Sequence, residues 1–181
     1  MDVLKFSELI GKLKKIKRSG WVREGIKNSE SVAEHSFGLS VLCMVLADQL
    51  AVDRDKLVKM AIIHDLGEIK TGDLIIERAE GIDLKVREEK ESLEKEAIVE
   101  LFKDFGKSDY KDLFQEIIER KTRESKIFWQ LDKLEMIIQA MEYEKEQNLD
   151  LSEFFENAAI YIDDSFLKKV IEEILNSRSK K

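Results

Sequence analysis

Apolar residues recur at steps of three and four along almost the whole chain, and this spacing limits its fold more than any other feature. Phe6, Leu9, Ile10, Leu13 and Ile16 fall on one face of a first helix. Ser31-Val32-Ala33-Glu34 has capping-box spacing and predicts a second helix from Ser31 to about Leu50. That stretch is apolar on most sides, which predicts a central, buried helix. Asp53 can cap a third helix, which ends at HDLGE, where Gly67 breaks the pattern. Gly20 and Gly25 bracket a short connection, while Gly72 and Gly81 frame a loop or short helical turn. From about Leu84 to Phe105 the chain is charged, with Leu93, Ala97, Ile98 and Leu101 forming the packing stripe of a surface helix that Gly106 ends. Further helices are predicted at about 108–121, 124–147 and 163–177, with a shorter one near 151–158. No alternating stretch is long enough to build a sheet, so the expected class is all-α.

The 181 residues suffice for one domain with a real core, and 43% hydrophobic with 38% charged residues is a globular composition. Apolar runs such as Met60 to Ile63 are far too short to span a bilayer. The first residues place their lysines after the apolar positions and lack a signal-peptide cleavage pattern. A cytoplasmic protein with no membrane contact is therefore expected. The single cysteine, Cys43 in the run VLCMVL, excludes an internal disulfide and any cysteine-based zinc site, and reads as a small core hydrophobe. A net charge of −7 argues against a nucleic-acid-binding face. It does not exclude a small anionic ligand beside a bound dication. The absence of proline and the abundance of Lys, Glu and Ile lean towards a heat-stable protein.

There are only two histidines, and both lie on apolar helical faces: His35 between Val32 and Leu39, and His64 four residues after Met60. Either alone reads as a core histidine. Asp65 places a carboxylate beside His64, and an unpaired buried charge is costly without a cation. Asp132 poses the same question within IFWQLDKLEMII, although a surface salt bridge to Lys133 or Arg123 would also explain it. One dication held by His35, His64, Asp65 and Asp132 would explain all four. A nitrogen and oxygen donor set without thiolate suits Mn, Fe, Co, Ni or Zn with positions left open for chemistry.

These residues carry a resemblance to the HD-domain phosphohydrolases, whose metal motif is a His, then His-Asp, then a distant Asp. Within that group the chain most resembles the HD-domain 5′-deoxynucleotidases, through KRSGWVREGIKNSESVAEHS, AIIHDLGEIKTGDL and LDKLEMIIQAMEYE, which together span residues 17–144. The resemblance implies a single HD domain over residues 1–181, with the metal-site core at about 17–144 and C-terminal helices at about 151–177 packed on it. It also implies an HD-domain helical bundle with a metal site in its core, a nucleoside monophosphate substrate and a homodimer, and the chain's two histidines make that site mononuclear, with one divalent transition metal ion per protomer. By the same resemblance Glu68 orients or deprotonates the attacking water, Asp73 lines the nucleotide site, Arg18 binds phosphate, and Trp21 lies near the sugar and helps exclude a ribose 2′-hydroxyl. Some relatives place Arg and Trp side by side, whereas here Ser19 and Gly20 separate Arg18 from Trp21.

Each residue also has a plainer reading. Glu68 can be a helix-end carboxylate near Lys70, Asp73 an ordinary turn residue, Trp21 a core anchor between the first two helices, and Arg18 a solvated surface charge. Glu34 reads as the capping-box partner of Ser31. Other functions compatible with this sequence are a nucleotide phosphodiesterase or triphosphohydrolase, and a non-catalytic nucleotide sensor. Two histidines per chain favour one ion over a bimetallic centre.

Overall fold

A computed structural model describes residues 2–74, 84–103 and 109–178. Among these residues the chain is built from helices, and its one extended pairing is an isolated antiparallel bridge between Lys17 and Ser31. The helices are α1 (Val3–Leu13), α2 (Ser19–Arg23), α3 (Val32–Leu46), α4 (Arg54–Ile63), α5 (Glu68–Thr71), α6 (Leu84–Phe102), α7 (Asp109–Glu119), α8 (Arg123–Gln147), α9 (Ser152–Tyr161) and α10 (Ser165–Arg178). The all-α expectation is met. Gly81 and Gly106, expected to bound segments, lie outside the described residues.

Local chemistry explains the helix starts. Ser31 accepts from the Glu34 amide while the Glu34 carboxylate accepts from the Ser31 amide, a complete capping box. Asp53 caps α4 through the Lys56 amide, and Thr122 caps α8 through the Ser125 amide. These caps fix where α3, α4 and α8 enter the core, and so where the side chains of their first turns point. The short connection between Gly20 and Gly25 is itself the helix α2, with Trp21 as its buried residue.

Helices α3, α4 and α8 pack against one another as the central group. Their shared core includes Leu39 and Cys43, Leu57 and Met60, and Phe128, Leu131 and Leu134, all buried. Burying one such Leu or Phe side chain stabilises the fold by about 1.5–3 kcal/mol. Helix α3 departs from the sequence expectation. Val32, His35, Leu39 and Cys43 face inward, but Phe37 is 73% exposed, and Met44 and Val45 are also exposed. An apolar composition all round a helix does not by itself bury every side.

Gly67 plays a different part from the one expected. Its backbone is right-handed (φ −60°), so it does not end a helix by its dihedrals. A Cβ there would lie 2.6 Å from the Glu94 Cα, so glycine is what lets α6 approach α5 this closely. This approach lays α6 beside Glu68.

Candidate metal centre

The three central helices and the turn after α4 bring the four expected ligands together. His35 sits in the first turn of α3, His64 caps the end of α4, Asp65 follows it, and Asp132 lies mid-way along α8. Ligand atoms of His35, His64 and Asp132 all lie within 4.8 Å of one another. Asp65 Oδ2 is 3.0 Å from His64 Nε2 and 3.9 Å from His35 Nε2, so it belongs to the same cluster. Asp132 Oδ1 is 3.2 Å from His35 Nε2.

The imidazoles are oriented from behind. His64 Nδ1 is 2.8 Å from the Ala61 carbonyl oxygen, an acceptor, so Nδ1 carries the hydrogen. His35 Nδ1 is 2.6 Å from Glu135 Oε2 and donates in the same way. Both Nε2 atoms are buried, face the cluster and lack a hydrogen-bond partner. Two orphaned imidazole nitrogens beside the buried Asp132 and the part-buried Asp65 make a donor set that could hold a divalent ion.

The surroundings supply charge. Arg18, just before α2, places Nη1 3.1 Å from Asp65 Oδ2 and 3.7 Å from Asp73 Oδ1. Asp73 also accepts from the Ser19 amide, which ties the segment after α5 to the start of α2. Lys133 pairs with Asp132 at 2.8 Å, while Arg123 is spent on the Leu50 carbonyl. Asp132 is 4% exposed, so its pair with Lys133 is not an ordinary surface salt bridge. Glu68 is 1% exposed; its Oε1 lies 3.4 Å from Lys90 Nζ, and its Oε2 has no hydrogen-bond partner. Lys90 in turn reaches Glu94 Oε1 at 3.3 Å and the Leu74 carbonyl.

Protonation follows from burial and from these neighbours. Burial pushes the Glu68 carboxyl up to about 10, with Asp65 and Asp73 adding and Lys90 and Arg18 opposing. Burial and Arg18 pull His35 down, but Asp132 and Glu135 outweigh them and raise it to about 9. Burial disfavours ionised Asp65, yet His64, Arg18 and His35 hold it well below the usual carboxylate range. Asp132 is likewise held down, against its burial, by Lys133 and the two histidines. The site therefore keeps two ionised carboxylates beside its imidazoles and a protonated Glu68.

Trp21 reaches the site through Glu30, which with His35 and Glu135 brings ligand atoms within 4.8 Å of one another. It is 2% exposed, stacks on Phe154 at 4.6 Å and donates its indole N–H to Glu30 at 2.8 Å. Glu30 is itself raised to about 7 by burial and by Glu135 beside it. Sequence reasoning missed Glu30, Glu135, Lys90 and Glu94. Glu135 had a readable signal: it stands one turn after Asp132 between the apolar Leu134 and Met136. Lys90 and Glu94 had none, being two charges in a charge-rich helix.

Comparison with known proteins bears on the same residues. The HD domain family profile matches residues 10–175. A 5′-deoxynucleotidase from Dictyostelium discoideum is 38% identical over 172 residues, covering 86% of this chain and 87% of its own length. The human 5′-deoxynucleotidase of the same name is 32% identical over 98% of this chain and 87% of its own. A solved structure of a conserved hypothetical protein from Pyrococcus furiosus superposes with a TM-score of 0.76 at 37% identity, covering 96% of this chain and 99% of the other. Among the described residues no helix is long and apolar enough to cross a membrane.

Proposed function

The chain belongs to the HD domain family of phosphohydrolases, and from that premise we propose that it hydrolyses nucleoside 5′-monophosphates, deoxyribonucleotides foremost, to nucleoside and phosphate. The observation that carries this reading is the convergence of two unpartnered Nε2 atoms and two ionised carboxylates beside Glu68 and Arg18. We assign His35, His64, Asp65 and Asp132 as the ligands of one divalent transition metal ion. Bound there, the ion would polarise a phosphoryl oxygen and lower the pKa of a water.

The remaining steps fall to the chain's own side chains. Arg18 supplies a fixed positive charge at the edge of the cluster and can grip phosphate with two parallel hydrogen bonds. Asp73 holds Arg18 and the Ser19 amide, so its part is to orient the phosphate anchor. Lys90 faces Glu68 Oε1, and the charge of the bound ion would bring Glu68 to its carboxylate form, leaving Oε2 to hold the attacking water and take its proton. Buried Trp21 braces the segment that carries Arg18: it stacks on Phe154 and donates to Glu30, whose carbonyl accepts from the Arg18 amide. The preference for deoxyribose is carried over from the names of the relatives.

The test is phosphate release from a panel of deoxy- and ribonucleoside monophosphates, with triphosphates and cyclic nucleotides included, in the presence of Mn²⁺ or Co²⁺. Release from 5′-monophosphates, greatest for the deoxy series, is expected. Inertness toward every monophosphate, with metal content confirmed, would overturn the proposal.

A further inference from the structure

Helix α8 approaches both nitrogens of one imidazole. Asp132 Oδ1 lies 3.2 Å from His35 Nε2, and Glu135, one turn further along the same face, lies 2.6 Å from Nδ1. Glu135 is 8% exposed, and among the described residues its ion pair is with His35. Helix α3 makes room for it. A Cβ on Gly38, three residues after His35, would stand 2.8 Å from Glu135 Oε1, closer than real Cβ atoms come to a neighbour. Gly38 has no positive φ that would require glycine, and the atom a Cβ would meet is the end of a flexible side chain, so an added methyl would push the carboxylate aside.

We infer that Glu135 is a positioning residue for His35: its carboxylate takes the Nδ1 hydrogen, turns Nε2 toward His64, Asp65 and Asp132, and occupies a slot that Gly38 leaves open. The hydrogen on Nδ1 commits the ring to donating its Nε2 lone pair to the cluster. The negative charge behind the ring makes that nitrogen a better donor. Ala61 does the corresponding work for His64 with a neutral carbonyl, so the two imidazoles are not equivalent, and His35 is the more strongly donating ligand.

This inference rests on the metal reading above, and its test separates the two. The probe is Zn²⁺, with affinity measured by competition against a chromogenic chelator in wild type, Glu135→Gln, Gly38→Ala and the double variant. Glutamine keeps the size of the side chain and removes its charge, and Gly38→Ala displaces the carboxylate without removing it. Each single variant should bind Zn²⁺ about 10–100-fold more weakly, and the double variant should lose no more than the worse single one. Because the chain has two histidines, the zinc-loaded protein labelled with ¹⁵N at histidine shows two imidazoles. The strongly hydrogen-bonded Nδ1 proton of His35 should move upfield in Glu135→Gln, while that of His64 should stay. Equal zinc affinity in wild type and Glu135→Gln, or an affinity loss that leaves the His35 proton unmoved, overturns the inference. Wild-type protein that binds no ion overturns the metal reading instead.

Discussion

Replacing Glu68 by glutamine should stabilise the metal-free protein while ending turnover. Glu68 is 1% exposed, and burial with Asp65 and Asp73 holds its carboxyl at about 10, against an ordinary value of 4.5. A carboxyl whose folded pKa is raised must take up a proton on folding at every pH between those values. That uptake costs about 1.4 kcal/mol for each pH unit above 4.5, so about 3 kcal/mol at pH 7. Glutamine has no proton to take up, and it presents an oxygen to Lys90 in the same place. The sign follows: Glu68→Gln should match wild type near pH 4.5 and gain stability steadily as pH rises toward 9. At pH 7 the gain corresponds to roughly 6–12 °C in Tm for a chain of this length. Urea unfolding with EDTA at a series of pH values measures it. A pH-independent difference, or a variant less stable than wild type at pH 8–9, would show that Glu68 takes up no proton on folding. A stabilising change at the proposed proton acceptor is the expected mark of a strained, functional carboxylate.

Metal affinity should also depend on pH, since an ion must displace the proton that His35 holds up to about 9. Apparent affinity should fall by about tenfold per pH unit below that value, as measured by chelator competition from pH 6.5 to 9. In the metal-free protein the raised His35 contributes stability that is full below its ordinary value of 6.5 and lost as pH rises through about 9. Gly67→Ala should destabilise the fold by about 1–3 kcal/mol, because its Cβ would meet Glu94 backbone that cannot swing aside. Denaturant unfolding checks this; a loss of only a few tenths of a kcal/mol would mean that α6 is free to shift.

The sequence carried those parts of the fold that are local. The apolar spacing predicted helices, and Ser31, Glu34, Asp53 and the two histidines occupy the places their neighbours implied. Burial was less legible, since Phe37, Met44 and Val45 look as apolar as Leu39 and Cys43 yet face outward. Which side of α3 is covered depends on where α4 and α8 pack, and no local pattern states that. Likewise Lys90 is separated from Glu68 by 22 residues and meets it only because Gly67 lets α6 come close. Trp21 read equally well as a substrate contact or as a core anchor. Its burial against Phe154 comes from α9, more than a hundred residues away.

His35, His64, Asp65 and Asp132 are assigned together as the ligands of one divalent ion. Mn²⁺ binding followed by electron paramagnetic resonance tests it directly on wild type, His64→Gln and Asp132→Asn. One ion per chain in wild type, with affinity reduced at least about tenfold in each variant, is the predicted result. Undiminished Mn²⁺ binding in both variants, or no uptake by wild type, would contradict the account.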